Sequence, residues 1–161
     1  MDENGDVIIE HPNREKASSK ATKAAVLLLL LASVALMLIV TVGGWDTLQG
    51  AKPVQIGYIL VYVIIAFYVA QWNRGVLPVA AALAILLAIF AAVAVPGWFD
   101  RDDTGFEQPS IDAGVLGLVT ALLIPVQVLL IAFAMRAFNQ AWNVEVERRP
   151  DTGTRRAPQP A

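Results

Sequence analysis

Two groups of residues in this chain could do chemistry. The first is the acidic string Asp100-Arg101-Asp102-Asp103-Thr104-Gly105-Phe106-Glu107. Set on the calcium-loop pattern D-x-[DN]-x-[DN]-G-x5-E, Asp100 and Asp102 fill positions one and three, and Gly105 fills the sixth. Thr104 stands where the position-five acid belongs, and position twelve is Ile111, with Asp112 one residue too late. The bidentate twelfth ligand is therefore missing. A divalent cation held weakly by Asp100, Asp102, Thr104 and Glu107 is what this string offers, at the roughly millimolar affinity of extracellular modules. The plainer reading is a solvated loop from which positive charge is excluded.

The second group is polar but uncharged and lies inside long apolar blocks. Tyr58, Tyr62 and Tyr68 share one block, and Thr120, Pro125 and Gln127 share another. Proline in mid-helix removes one backbone hydrogen bond, which here frees the carbonyl of Ala121 and predicts a kink. Counting about 1.5 Å per residue from the block ends, Tyr62 reaches the depth of Thr120, and Tyr68 that of Gln127. Tyr62, Tyr68, Thr120 and Gln127 therefore form either ordinary interhelical hydrogen bonds or a small polar pocket for a lipid-like or quinone-like molecule.

Other chemistry is excluded by residue type. There are no cysteines, so disulfides, thiol redox chemistry and thiolate metal sites are absent. The single histidine, His11, lies in the N-terminal tail, far from any haem or hydrolase site. No apolar block contains Asp, Glu, Lys, Arg or His; such groups mark proton relays and ion paths in membranes. Four-span multidrug transporters need a glutamate in the first span, where this chain has only Ser33 and Thr41 as polar residues. With a net charge of −2, nucleic-acid binding has no support. No cofactor and no enzymatic activity are expected.

The elements that must position these residues are four apolar blocks: Ala24–Gly43, Val54–Trp72, Val76–Val95 and Ala113–Met135. Each is long enough to cross a hydrocarbon core of about 30 Å as a helix. The expected fold is an all-α integral membrane protein, four transmembrane helices in one antiparallel bundle. The first block is too long and too far from the start for a cleavable signal peptide, and reads as an uncleaved span. Residues 1–23 read as a flexible tail, and 137–161 as a segment that becomes disordered towards its end. Between them, Ala137–Arg149 reads either as an interfacial continuation of the fourth span or, from Val144-Glu145-Val146-Glu147, as extended chain.

Asn73-Arg74-Gly75 is a tight turn that makes spans two and three a hairpin, and Pro96 is expected to end span three. Ala80, Ala84, Ala88 and Ala92 recur every four residues, and Ala113, Gly117, Thr120 and Gln127 stripe span four. Small residues mark contact faces in membranes, which places span three centrally.

Ten of the twelve basic residues fall in the two tails and the Arg74 turn, leaving Lys52 and Arg101 opposite. The positive-inside rule puts both termini in the cytoplasm. Trp45, Trp72, Trp98 and Trp142 lie at span ends, where indoles anchor at the headgroup level. The alanine-, valine- and arginine-rich composition suits a GC-rich bacterial genome, so the expected location is a bacterial inner (plasma) membrane, multi-pass.

Three functions follow as expectations. The first is a non-enzymatic accessory, assembly or scaffold subunit whose partners are the lipid bilayer and another membrane protein or a second copy. The second is a carrier or oligomeric pore for a neutral or lipid-like small molecule. The third is an extracytoplasmic divalent-cation sensor built on the acidic loop.

Overall fold

The computed structural model describes residues 8–102 and 108–148. The order is β1 (Ile8–Glu10), α1 (Pro12–Glu15), α2 (Ala17–Gly43), α3 (Lys52–Ala70), α4 (Leu77–Phe99), α5 (Ala113–Asn139) and β2 (Val146–Arg148), with single 3₁₀ turns before α3 and α4 and after α4. Helices α2 to α5, counted with those turns, are each long and apolar enough to cross a membrane. No more than a third of each apolar stretch is buried within the protein. Leu28, Val42, Leu60, Phe67, Val93 and Leu118 point outwards, as suits a helix whose solvent is lipid.

Local signals set the helix ends. Pro53 and Pro78 sit in the first turns of α3 and α4, where a missing N–H leaves nothing unpaired. Asp112 caps α5, its carboxylate accepting from the Val115 N–H at 3.0 Å. Inside the helices, Thr22, Ser33, Thr41 and Thr120 each donate to the carbonyl four residues back. These hydroxyls are thereby satisfied without a neighbour.

The bundle's packing order differs from the chain order. Helix α5 packs on α4 and α2, and α2 packs on α3; α3 and α4, though joined by a tight turn, barely touch. Span three is therefore not central: α2 and α5 are. The alanine row also drifts off the interface, with Ala80 and Ala84 fully buried and Ala92 exposed. Four residues overshoot a 3.6-residue turn by about 40° each time, so the true face is Leu77, Ala80, Ala84, Leu87 and Ala91. On α5 the stripe Ala113, Gly117, Thr120 and Gln127 does face inward. At Gly117 an added Cβ would stand 3.1 Å from the Phe99 ring and 3.2 Å from Trp98 Cβ, which shows how closely α4 and α5 approach.

Other boundaries moved. Helix α4 continues through Pro96 to Phe99; a proline so near the end orphans only one carbonyl of the preceding turn. The segment expected to be a flexible tail is folded from Ile8 onward, and α2 begins at Ala17 rather than Ala24. Strand β1 pairs antiparallel with β2, Ile9 opposite Glu147, so of the Val144–Glu147 alternation Val146 and Glu147 lie in a strand, while the Val144 N–H closes a turn onto the Ala141 carbonyl. His11 Nε2 lies 3.3 Å from a Glu145 carboxylate oxygen beside this ribbon. The parts of the two tails at 1–7 and 149–161 lie outside the described residues.

Two ends of the bundle can be distinguished. The terminal end holds the β1–β2 ribbon, α1 and the α3–α4 turn. The far end holds the loop between α2 and α3 and the loop between α4 and α5.

Candidate functional site

The acidic loop yields little. Asp100 is exposed at the end of α4, and Asp112 is engaged as the cap of α5. Thr104 and Glu107 lie outside the described residues, as does the side chain of Asp102. Among the described residues no three His, Cys, Asp or Glu side chains converge on one point.

The intramembrane polar residues divide into three environments. Tyr62 donates its hydroxyl to Gln127 Oε1 at 2.9 Å, and Gln127 Nε2 donates to Ser33 Oγ at 2.9 Å. Ser33 in turn donates to the Leu29 carbonyl at 2.7 Å. All three side chains are fully buried. This relay ties α3, α5 and α2 together with every polar atom matched, so it is a structural clamp rather than an open pocket. The depth count paired Tyr62 with Thr120 because it started all helices at one level. The Tyr62–Gln127 bond instead joins the eleventh residue of α3 to the fifteenth of α5, an offset of about one helical turn. Ser33 was visible in the sequence as one of two polar residues of the first span, but the depth count covered only the second and fourth spans.

Tyr68 lies half exposed at the terminal end, and Thr120 bonds within its own helix to Leu116. The tryptophans also divide. Trp45 is exposed and Trp72 partly buried, whereas Trp98 and Trp142 are buried in protein. Depth alone does not decide which way an indole turns. Trp98 packs so tightly on Gly44 that a Cβ there would come within 2.5 Å of its ring. Trp142 meets Trp72 edge-on at 5.2 Å.

The cavity that the polar residues do help to line is elsewhere. Helix α4 packs on α5 and barely touches α3, and the far-end halves of α3 and α4 border a common gap. The gap is a cleft of about 480 Å³, within the range of small-molecule sites. Val54, Gln55 and Tyr58 of α3 form one wall, and Phe90, Ala91, Ala94 and Gly97 of α4 the other. Met37 of α2 with Thr120 and Leu123 of α5 form its back. The α4 wall includes the small residues Ala91, Ala94 and Gly97, and a Cβ on Gly97 would meet nothing within 4 Å. Tyr58 reaches across to set its ring edge-on to Phe90, 6.2 Å between centroids.

The cleft's strongest polar groups stand at its far-end rim. Thr47 and Gln55 stand there, and Gln55 Oε1 accepts from the Thr41 hydroxyl. Arg101 stands there too, its guanidinium 5.6 Å from the Trp98 ring. Below the rim the lining is aliphatic and aromatic apart from Tyr58 and Thr120, and the Thr120 hydroxyl is already bonded to the Leu116 carbonyl. Such a shape accepts a molecule with an apolar body and a polar or anionic end.

Compared with known protein families, curated proteins and solved structures, the chain matches none.

Proposed function

We propose that this is a non-enzymatic, multi-pass protein of the bacterial inner membrane, both termini cytoplasmic, which holds a single lipid-like molecule in the cleft between α3 and α4. One observation supports it most: two helices joined by a tight turn are held apart at their other ends, and the gap is apolar with a polar rim. The cleft groups include no nucleophile paired with a base, so the proposal is binding or carriage rather than catalysis. The rim lies at the end opposite most of the basic residues, hence at the outer headgroup level under the positive-inside rule. A lipid-like molecule there keeps its polar end at Arg101 and Gln55, with its apolar body against Phe90 and Leu123.

The accessory-subunit reading competes for the same gap. A partner's spanning helix needs a groove of about 30 Å. The α4 wall from Leu87 to Gly97 offers about 15 Å at roughly 1.5 Å per residue, and the α3–α4 turn closes the other end. The dimensions thus favour a small molecule over a helix.

Gly97→Leu adds a bulky side chain at a cleft-lining position whose Cβ would meet nothing within 4 Å. Purified in mild detergent and extracted for lipid mass spectrometry, the native chain is expected to carry one enriched lipid-like species. Gly97→Leu is expected to lose it while keeping its thermal unfolding temperature. A native chain with only bulk bilayer lipids, or a variant that keeps the same species, would end this reading.

A further inference from the structure

A second site lies at the other end of the molecule and is independent of the cleft. Arg14 of α1 and Arg74 of the α3–α4 turn, sixty residues apart in sequence, line one open pocket of about 530 Å³. Neither guanidinium faces a carboxylate within ion-pair distance among the described residues, where the recorded pair is His11 with Glu145. Each is held instead by a neutral acceptor. Arg14 Nε donates to the Trp142 carbonyl at 2.9 Å, and Arg74 Nη1 donates to Asn143 Oδ1 at 3.0 Å. Arg74 also lies over the Phe138 ring at 4.3 Å. A guanidinium carries five N–H donors, so each arginine is oriented by one contact and keeps most of its fork.

The backbone around the pocket is unusual on both sides. Trp72 and Ala141, neither of them glycine, have φ of 64° and 48°. A left-handed L-residue costs about 1–2 kcal/mol, and such strain gathers at ligand clamps. These two turns set Asn73 and Arg74 on one side of the pocket and Trp142 and Asn143 on the other. Trp72 is braced by Lys23, whose ammonium lies 4.0 Å from the ring centroid and donates to the Ala70 carbonyl at 2.6 Å. Tyr68, Gln71, Asn73 and Asn143 add neutral polar groups to the wall.

Two guanidiniums on one pocket, with no ion pair among the described residues, call for an anion, and the planar fork matches a phosphate bidentately. The pocket sits where α3 and α5 end, lined by Tyr68 to Gly75 on one side and Phe138 on the other; the ends of spanning helices are where headgroups lie. Basic pockets between transmembrane helices are sites for acidic headgroups. We propose that Arg14 and Arg74 bind one anionic phosphate group, that of an acidic phospholipid in the terminal-end leaflet.

The test uses the full chain in detergent and follows thermal unfolding with three probes: dioctanoyl phosphatidylglycerol, dioctanoyl phosphatidylcholine and inorganic phosphate. The native chain is expected to be stabilised by phosphatidylglycerol, far less by phosphatidylcholine, and little by inorganic phosphate. Arg14→Gln/Arg74→Gln should weaken the apparent affinity for phosphatidylglycerol by about tenfold or more, since each charge-assisted bond contributes roughly that factor. Asn143→Asp, an exposed near-isosteric change, puts a carboxylate against Arg74 and should do the same even if the double variant folds poorly. Gly97→Leu should leave this response intact, which separates it from the cleft. Equal stabilisation by inorganic phosphate, lost in the variants, would keep the phosphate site and assign it to a free anion. No stabilisation by either anion, or full stabilisation of Asn143→Asp, would overturn the proposal.

Discussion

At the scale of single residues, the interior polar relay is the best-determined feature. Gln127 is held at both ends, accepting from Tyr62 and donating to Ser33. Interhelical hydrogen bonds in membranes average about 0.6 kcal/mol, but a buried hydroxyl left without its partner costs about 1–3 kcal/mol. Gln127→Leu is therefore expected to destabilise the bundle by about 1–3 kcal/mol. Adding Tyr62→Phe should recover part of that loss, because the orphaned hydroxyl disappears with it. Reversible unfolding in mixed micelles measures both. Purely additive losses would mean that the two side chains do not depend on each other. The sequence showed these residues as polar exceptions in apolar spans but could not pair them. Depth counting assumes a common starting level, and α3 does not share it. Ser33 was missed because the count compared only the second and fourth spans.

At the scale of elements, the four apolar spans were legible to within a few residues at most ends, because uninterrupted apolar length is a strong signal. Packing order was not. Helices α3 and α4 are neighbours in sequence through a tight turn, yet α4 spends its small face on α5. Sequence adjacency and the small-residue faces were the guides to pairing, and neither shows which helix a small face meets; α4 and α5 approach closely at Gly117. The β1–β2 ribbon was invisible as a pair, since three-residue strands so far apart carry no pairing signal. The turn that leads into it stores strain at Ala141. Its φ of 48° is left-handed, and the Asn13 side chain bonds its carbonyl at 3.0 Å, a contact that needs no Cβ. Ala141→Gly should therefore raise stability by about 0.5–1 kcal/mol, the relieved strain exceeding the entropy glycine adds to the unfolded chain. A lowered unfolding temperature in the glycine variant would mean the methyl group's packing outweighs the strain.

At the scale of the whole molecule, sidedness and occupancy define the account. The chain has no cysteine, so single cysteines report cleanly. Gly50→Cys lies in an exposed far-end loop with nothing within 4 Å of its Cβ, and Glu15→Cys is exposed at the terminal end. In intact spheroplasts a membrane-impermeant thiol reagent should label position 50 and reach position 15 only after permeabilisation. The reverse pattern would invert the protein and place the cleft rim in the cytoplasmic leaflet. The cleft itself was not legible from composition. It arises from helix levels and packing order, the two properties that span length does not encode. Thr120 was the one residue of the expected polar pocket that came to line it.

The most direct measurement is photo-crosslinking in the native membrane from a diazirine-bearing side chain at position 94, inside the cleft, compared with position 93. Val93 is 75% exposed on the outer face of the same helix. The account predicts one dominant small-molecule adduct at position 94 and a mixture of bulk lipids at position 93. The same mixture at both positions, or a protein adduct at position 94, would contradict it.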